Sequence, residues 1–197
     1  MVETNSFSSV TNSNYSKLQE LLQAGKWEEA DNETLAIMLR ATNRELQGWL
    51  DIEHIQQFPD SELNTVNQLW LNYSNGHFGF SVQKSLWQKS YNQNFIWEVG
   101  WFKLSSWANG SQGEFNFQTI FDITAPQGHL PRCILNNSIR RDGGSNTYRW
   151  SWGPRAGYPQ SFWRGEKTRA NAYYFFDKAY ENYQKDIQCI LSRQYLE

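Results

Sequence analysis

The chain has 197 residues, enough for one globular domain with a sizeable core, and its 18 Lys or Arg against 20 Asp or Glu give a net charge of −2. That balance excludes a general nucleic-acid binder, which needs a clearly basic surface. The two cysteines, Cys133 and Cys189, form no disulfide framework and suit a reducing compartment, and no apolar run is long enough to span a membrane.

Residues 1–14, MVETNSFSSVTNSN, have neither a basic nor an apolar signal region and are read as a flexible leader outside the fold. Tyr15, Leu18, Leu21 and Leu22 then recur at helical spacing, Gly25 supplies a stop, and Trp27, Ala30, Thr34, Ile37 and Met38 continue as a second helix. LLQAGKWEEAD resembles the junction of a tetratricopeptide repeat, but no second copy follows at a spacing of about 34 residues, so a repeat array is rejected. A short helix is expected over 46–57, ended by Phe58 and Pro59, and another after a cap at Asp60 or Ser61, on Leu63, Val66, Leu69 and Trp70. NGHFGF reads as a tight loop into a helix starting near Ser81, with Val82, Leu86 and Trp87 turned inward.

From Tyr91 to Pro131 the helical spacing fails, and Gly, Asn and Ser separate Phe95, Trp97, Trp101, Phe102, Trp107, Phe115 and Phe117. Loops beyond about 12 to 15 residues in a compact domain are usually functional or disordered, and so many large rings favour function. Residues 142–197 read as a basic aromatic segment followed by an amphipathic helix over 171–196, which carries Tyr173, Phe176, Tyr180, Tyr183, Ile187 and Ile190 and is expected to pack on its own domain. Charge divides along the same line. Residues 1–127 carry 7 basic against 14 acidic residues and residues 128–197 carry 11 against 6, so an anionic partner is expected at the C-terminal half.

Enzymatic chemistry lacks its parts. His54, His77 and His129 lie in separate segments with no zinc spacing, and there is no GxSxG elbow, phosphate loop or dinucleotide fingerprint. Asp122 and the pair Glu28 and Glu29 read as solvated surface, so the chain is expected to bind rather than catalyse, without a protein-bound metal.

GWL at 48–50, FPDSEL at 58–63, LWLNYSNGHFGFSVQKSLW at 69–87, VGW at 99–101 and FDITAPQGHLP at 121–131 resemble, in order and spacing, the core of the genomes-uncoupled-four family. The upstream AGKWEEADNET fits the same pattern, and the likeness covers residues 15–131. It implies an all-α domain shaped like a cupped hand, over residues 15–141, with two long aromatic loops above a porphyrin-receiving face and an added C-terminal helix. It further implies a non-catalytic binder of protoporphyrin IX or Mg-protoporphyrin IX that regulates chlorophyll biosynthesis through the large porphyrin-binding subunit of magnesium chelatase. Such a protein would sit in the cytoplasm or the plastid stroma, with peripheral association with photosynthetic membranes left open.

By position in the family pattern, Trp107 matches a binding tryptophan and Arg140 a propionate-contacting arginine, with Arg141 beside it; a second such arginine would align near Asn137. Phe78, Phe80 and Val82 are candidates for the cup floor, with plain core as the competing reading, and Phe117 is a further loop aromatic facing the ligand. A macrocycle needs flat apolar contact and its propionates need cationic partners, which these residue types supply. Two departures stand beside the likeness: no N-terminal helical bundle precedes the core, and some 55 residues follow Arg141. Alternatives are a protein-interaction module on the same fold, and a bilin-binding protein, with Cys133 as a weak candidate for thioether attachment.

Overall fold

A computed structural model describes residues 7–90, 95–105, 114–117, 119–141 and 183–196. The element order is α1 (Phe7–Gln23), α2 (Trp27–Ala41), α3 (Ile52–Gln57), α4 (Asp60–Tyr73), α5 (Phe80–Lys89), α6 (Phe95–Glu98), β1 (Phe102–Ser105), β2 (Glu114–Phe117) and α7 (Cys133–Arg141), with a last helical run, α8, over residues 183–191.

The early helices end as their sequences direct. Lys26 N–H donates to the Leu21 carbonyl (2.9 Å) and Gly25 N–H to Leu22 (3.1 Å), with Gly25 at φ +68°, which makes the double-bonded left-handed stop that lets α2 fold back on α1. Asn43 (φ 56°) and Asn75 (φ 53°) occupy the same left-handed position after α2 and α4, asparagine being the usual substitute for glycine there. Trp70 centres the core. Its ring stacks on Trp27 (6.1 Å between centroids), meets Phe78 edge-on (6.4 Å), and donates its indole N–H to Thr34 Oγ1 on α2 (3.0 Å).

Three expectations shift. Helix α1 begins at Phe7, inside the stretch read as a leader, because a helix anchored by buried Leu18 and Leu22 extends at one hydrogen bond per residue fixed, even through weak helix formers. Helix α3 begins at Ile52 rather than 46: Gly48 (φ +72°) turns the chain, and Asp51 then caps by accepting the His54 N–H (3.1 Å). The helical class holds, but the aromatic loop region contains α6 and a two-stranded antiparallel ribbon, β1–β2, with Phe102 opposite Phe117 and Ser105 opposite Glu114.

Helix α7 is fixed by buried polar bonds. The Asp31 carboxylate on α2 accepts Arg132 N–H (2.6 Å) and the Asn136 side chain (3.2 Å). Asn137, fully buried, takes the Leu50 N–H on Oδ1 (2.6 Å) and donates Nδ2 to the Leu50 carbonyl (2.9 Å). The side chain of Asn137 is therefore engaged within the fold. Helix α8 packs on the domain as expected, burying Tyr183, Ile187, Ile190 and Leu191; Tyr173, Phe176 and Tyr180 lie outside the described residues.

Candidate functional site

The sequence blocks NGHFGF, VGW and TAPQGHLP, distant in the chain, meet at the two roots of the β1–β2 ribbon. Gly128 N–H donates to the His77 carbonyl and Gly79 N–H to Leu130 (both 3.0 Å), while His77 Nε2 donates to Ala125 (2.7 Å). From α5, fully buried Gln83 sends Nε2 to the carbonyls of Gly128 (3.0 Å) and Pro131 (2.7 Å). Asn67 on α4 caps α5 by accepting the Ser81 N–H (2.9 Å), so the NGHFGF turn is held at both ends.

The ribbon's own roots are tied to this frame by His129 and Trp101. His129 Nδ1 donates to the Val99 carbonyl (2.6 Å), which leaves Nε2 to accept the Ile120 N–H (2.8 Å) just after the ribbon. Trp101, the residue before β1, is fully buried and donates its indole N–H to the His129 carbonyl (2.6 Å). Gly100 (φ +73°) completes the contact: a Cβ there would lie 2.6 Å from Pro126 Cγ, so only glycine lets the VGW and TAPQ backbones approach this closely. Apolar surface remains beside the ribbon on Trp97 (43 % exposed), just before it, and on Ile120, Phe121 and Ile123 (45 %), just after it.

Of the residues singled out from sequence, Phe117 ends β2, and Arg140 and Arg141 are the last two residues of α7, the helix that follows the TAPQGHLP loop. Val82 is half-buried in the first turn of α5. Phe78 and Phe80 are fully buried; Phe78 lies edge-on to Trp27 (5.4 Å) and His77 (4.8 Å), so its surface is taken up by core rings. Trp107 lies outside the described residues. In the sequence Trp101 is one of seven loop aromatics, His129 one of three isolated histidines and Gln83 an ordinary member of its block, with nothing to mark the bonds they make. Their type and burial alone do not announce them, since their partners lie 28 to 48 residues away.

The acidic candidates are surface groups. Asp122 is exposed and accepts the Thr124 N–H (2.8 Å), a bond that holds its carboxyl below the usual range, and Glu28 and Glu29 sit exposed in the first turn of α2, where the helix dipole favours them. Burial, and then the nearby Asp31 carboxylate, push the fully buried Cys133 thiol well up, so it offers no accessible thiolate for a thioether. Arg132 is nearly buried, and desolvation brings its pKa down to about 10 against the opposing pull of Asp31 and Tyr183; it stays cationic at neutral pH.

A cleft of about 120 Å³ opens between α8 and the α5–α6 region, lined by Trp87, Phe95, Ile96, Tyr183 and Ile187. Ligand pockets for drug-sized molecules run to roughly 300 Å³ and more, so this cleft does not take a macrocycle. Among the described residues, no helix is long and apolar enough to cross a membrane.

Comparison with known proteins places these blocks in context. A "Ycf53-like protein" of Synechocystis is 36% identical over 130 residues, covering 64% of this chain and 52% of that protein. The "Tetrapyrrole-binding protein, chloroplastic" of Arabidopsis thaliana is 25% identical over 135 residues, 62% of this chain and 48% of that protein. The chain thus spans about half the length of these curated relatives. The ligand-free structure of Arabidopsis thaliana GUN4 superposes with a TM-score of 0.60 at 18% identity, covering 100% of this chain and 99% of that one. GUN4 from Chlamydomonas reinhardtii gives 0.58 at 19%, covering 93% and 90%. A family profile described as GUN4-like matches residues 8–143, a span that holds the NGHFGF turn, the ribbon and the TAPQGHLP loop together, and by that match the chain belongs to the GUN4-like family.

Proposed function

We propose that the chain is a non-catalytic tetrapyrrole-binding protein that takes protoporphyrin IX or its magnesium complex on the face built by the β1–β2 ribbon, the loop over 119–131 and the end of α7. The observation that carries this reading is the hydrogen-bonded frame of His77, Gln83, His129 and Trp101. It fixes both roots of an aromatic ribbon in a family with a member named for tetrapyrrole binding. A rigid frame lowers the ordering cost of binding, so aromatic side chains on the ribbon contribute more of their contact energy. Trp107 and Phe117 supply ring contacts, Val82 an apolar edge, and Arg140 and Arg141 the cations for the propionates; Phe78 and Phe80 support the site from within the core.

On this reading the protein escorts a photoreactive porphyrin and regulates chlorophyll biosynthesis through the large porphyrin-binding subunit of magnesium chelatase, in the cytoplasm or the plastid stroma. Trp107→Ala should weaken porphyrin binding by about 1 to 3 kcal/mol, the usual worth of a truncated aromatic anchor, and leave the circular dichroism spectrum unchanged. An unaltered affinity removes Trp107 from the site. A loss of helical signal makes it a structural residue instead.

A further inference from the structure

The C-terminal segment is tied to the rest of the domain at separate places, and two of them are the supports of the proposed binding face. Tyr183, buried, meets the Trp101 ring edge-on with centroids 5.7 Å apart, and Trp101 immediately precedes β1. One turn of α8 further on, the buried Asp186 carboxylate accepts Ser138 Oγ (2.6 Å) on α7, two residues before Arg140. The far end of the segment is clamped. The Arg193 guanidinium donates to the carbonyls of Ile55, Phe58 and Gln56 (3.1 Å to the last) at the end of α3 and to the Asp60 carboxylate (2.8 Å) at the start of α4. Lys84 Nζ on α5 closes the clamp from the other side by donating to the Arg193 carbonyl (2.7 Å).

Phe58 N–H already caps α3 on the His54 and Ile55 carbonyls (3.1 and 3.3 Å), and the Arg193 guanidinium adds charge-assisted bonds to carbonyls at the same helix end, where a cation also meets the helix dipole favourably. The clamp therefore holds α8 without help from the ribbon, while α8 touches the ribbon root and α7 at once. We infer that residues 183–196 form a strap that positions the β1–β2 ribbon through Tyr183 on Trp101 and positions α7 through Asp186 on Ser138, so that docking of the strap and occupancy of the ribbon face are thermodynamically linked. The ligand half of this statement rests on the proposed function; the mechanical half does not. Linkage is reciprocal, so a ligand on that face tightens the strap by the factor by which the strap tightens the ligand.

The test uses the full chain with Arg193→Gln, whose side-chain bonds run to the end of α3 and the start of α4, and Ile187→Asp as a second variant that undocks α8 directly. Backbone hydrogen exchange is followed by mass spectrometry in segments 183–191, 102–105 and 114–117. The strap predicts that exchange in 183–191 rises about tenfold or more in at least one variant, and that the ribbon segments accelerate with it while α1 and α2 keep their protection. Faster exchange in 183–191 with an unchanged ribbon overturns the inference, and so does a segment that remains fully protected in both variants. Protoporphyrin IX titration of the same proteins gives the second readout, with an expected rise in Kd of about threefold or more. If the parent chain binds no porphyrin, the exchange comparison still decides the strap, and only the functional reading fails.

Discussion

Trp101→Ala should lower the unfolding free energy by about 3 to 5 kcal/mol, the range for emptying a buried tryptophan site. The indole is fully buried against Phe95 (5.6 Å, edge-on) and Tyr183, and its N–H is bonded to the His129 carbonyl. Removal leaves a cavity at the ribbon root and an acceptor deprived of its donor. For a chain of this size each kcal/mol is worth about 2 to 4 °C in Tm, so the melt should move down by about 6 to 20 °C. Trp101→Phe, which keeps a ring but loses the N–H, should cost only about 1 to 3 kcal/mol. Thermal unfolding followed by circular dichroism checks both. A shift of the alanine variant no larger than that of the phenylalanine variant would show that the packing of Trp101 does not hold the ribbon root.

The second large effect belongs to binding. Arg140→Ala should weaken the dicarboxylate porphyrin by about ten- to a hundredfold, corresponding to the roughly 1.5 to 3 kcal/mol of a hydrogen bond to a charged group, and should weaken the dimethyl ester much less. Exposed ion pairs are worth only about 0 to 1 kcal/mol, so the expectation depends on a rigid support for the arginine. Helix α7 meets that need: Asp31 holds its entry at Arg132, Asn137 clamps Leu50, and Ser138 bonds Asp186. Absorption titrations with the acid and ester forms make the comparison. Equal losses for the two ligands would take the propionate role away from Arg140. A loss of binding to another protein, with both porphyrins unaffected, would assign the end of α7 to a protein interface.

The helices that carry their own signals were legible in the sequence. Leu18 and Leu22 before Gly25, or Leu63, Val66 and Trp70 after Pro59, state a face and an end within one segment, and the structure buries those residues. The start of α3 is less legible, because Gly48 turns the chain and Asp51 then caps the helix, while Leu50 between them is bonded by Asn137 from 87 residues away. The ribbon is not legible as strands for a related reason. Its strands are four residues each, and the frame that holds it runs through Trp101, His129, Gln83 and Gly128, whose partnerships leave no periodic trace. The family blocks NGHFGF, VGW and TAPQGHLP are legible in the sequence, while the hydrogen bonds that join them are visible only in three dimensions. Tyr183 is a parallel case, an ordinary member of an amphipathic pattern whose ring rests on a tryptophan 82 positions earlier in the chain.

Direct titration of the full chain with protoporphyrin IX and with its magnesium complex tests the central claim most directly. Binding at micromolar protein should quench tryptophan fluorescence, with 10 tryptophans as reporters, and shift the porphyrin absorption band in a saturable manner for at least one of the two ligands. Neither quenching nor a band shift with either ligand would contradict the assignment of this chain as a tetrapyrrole-binding protein.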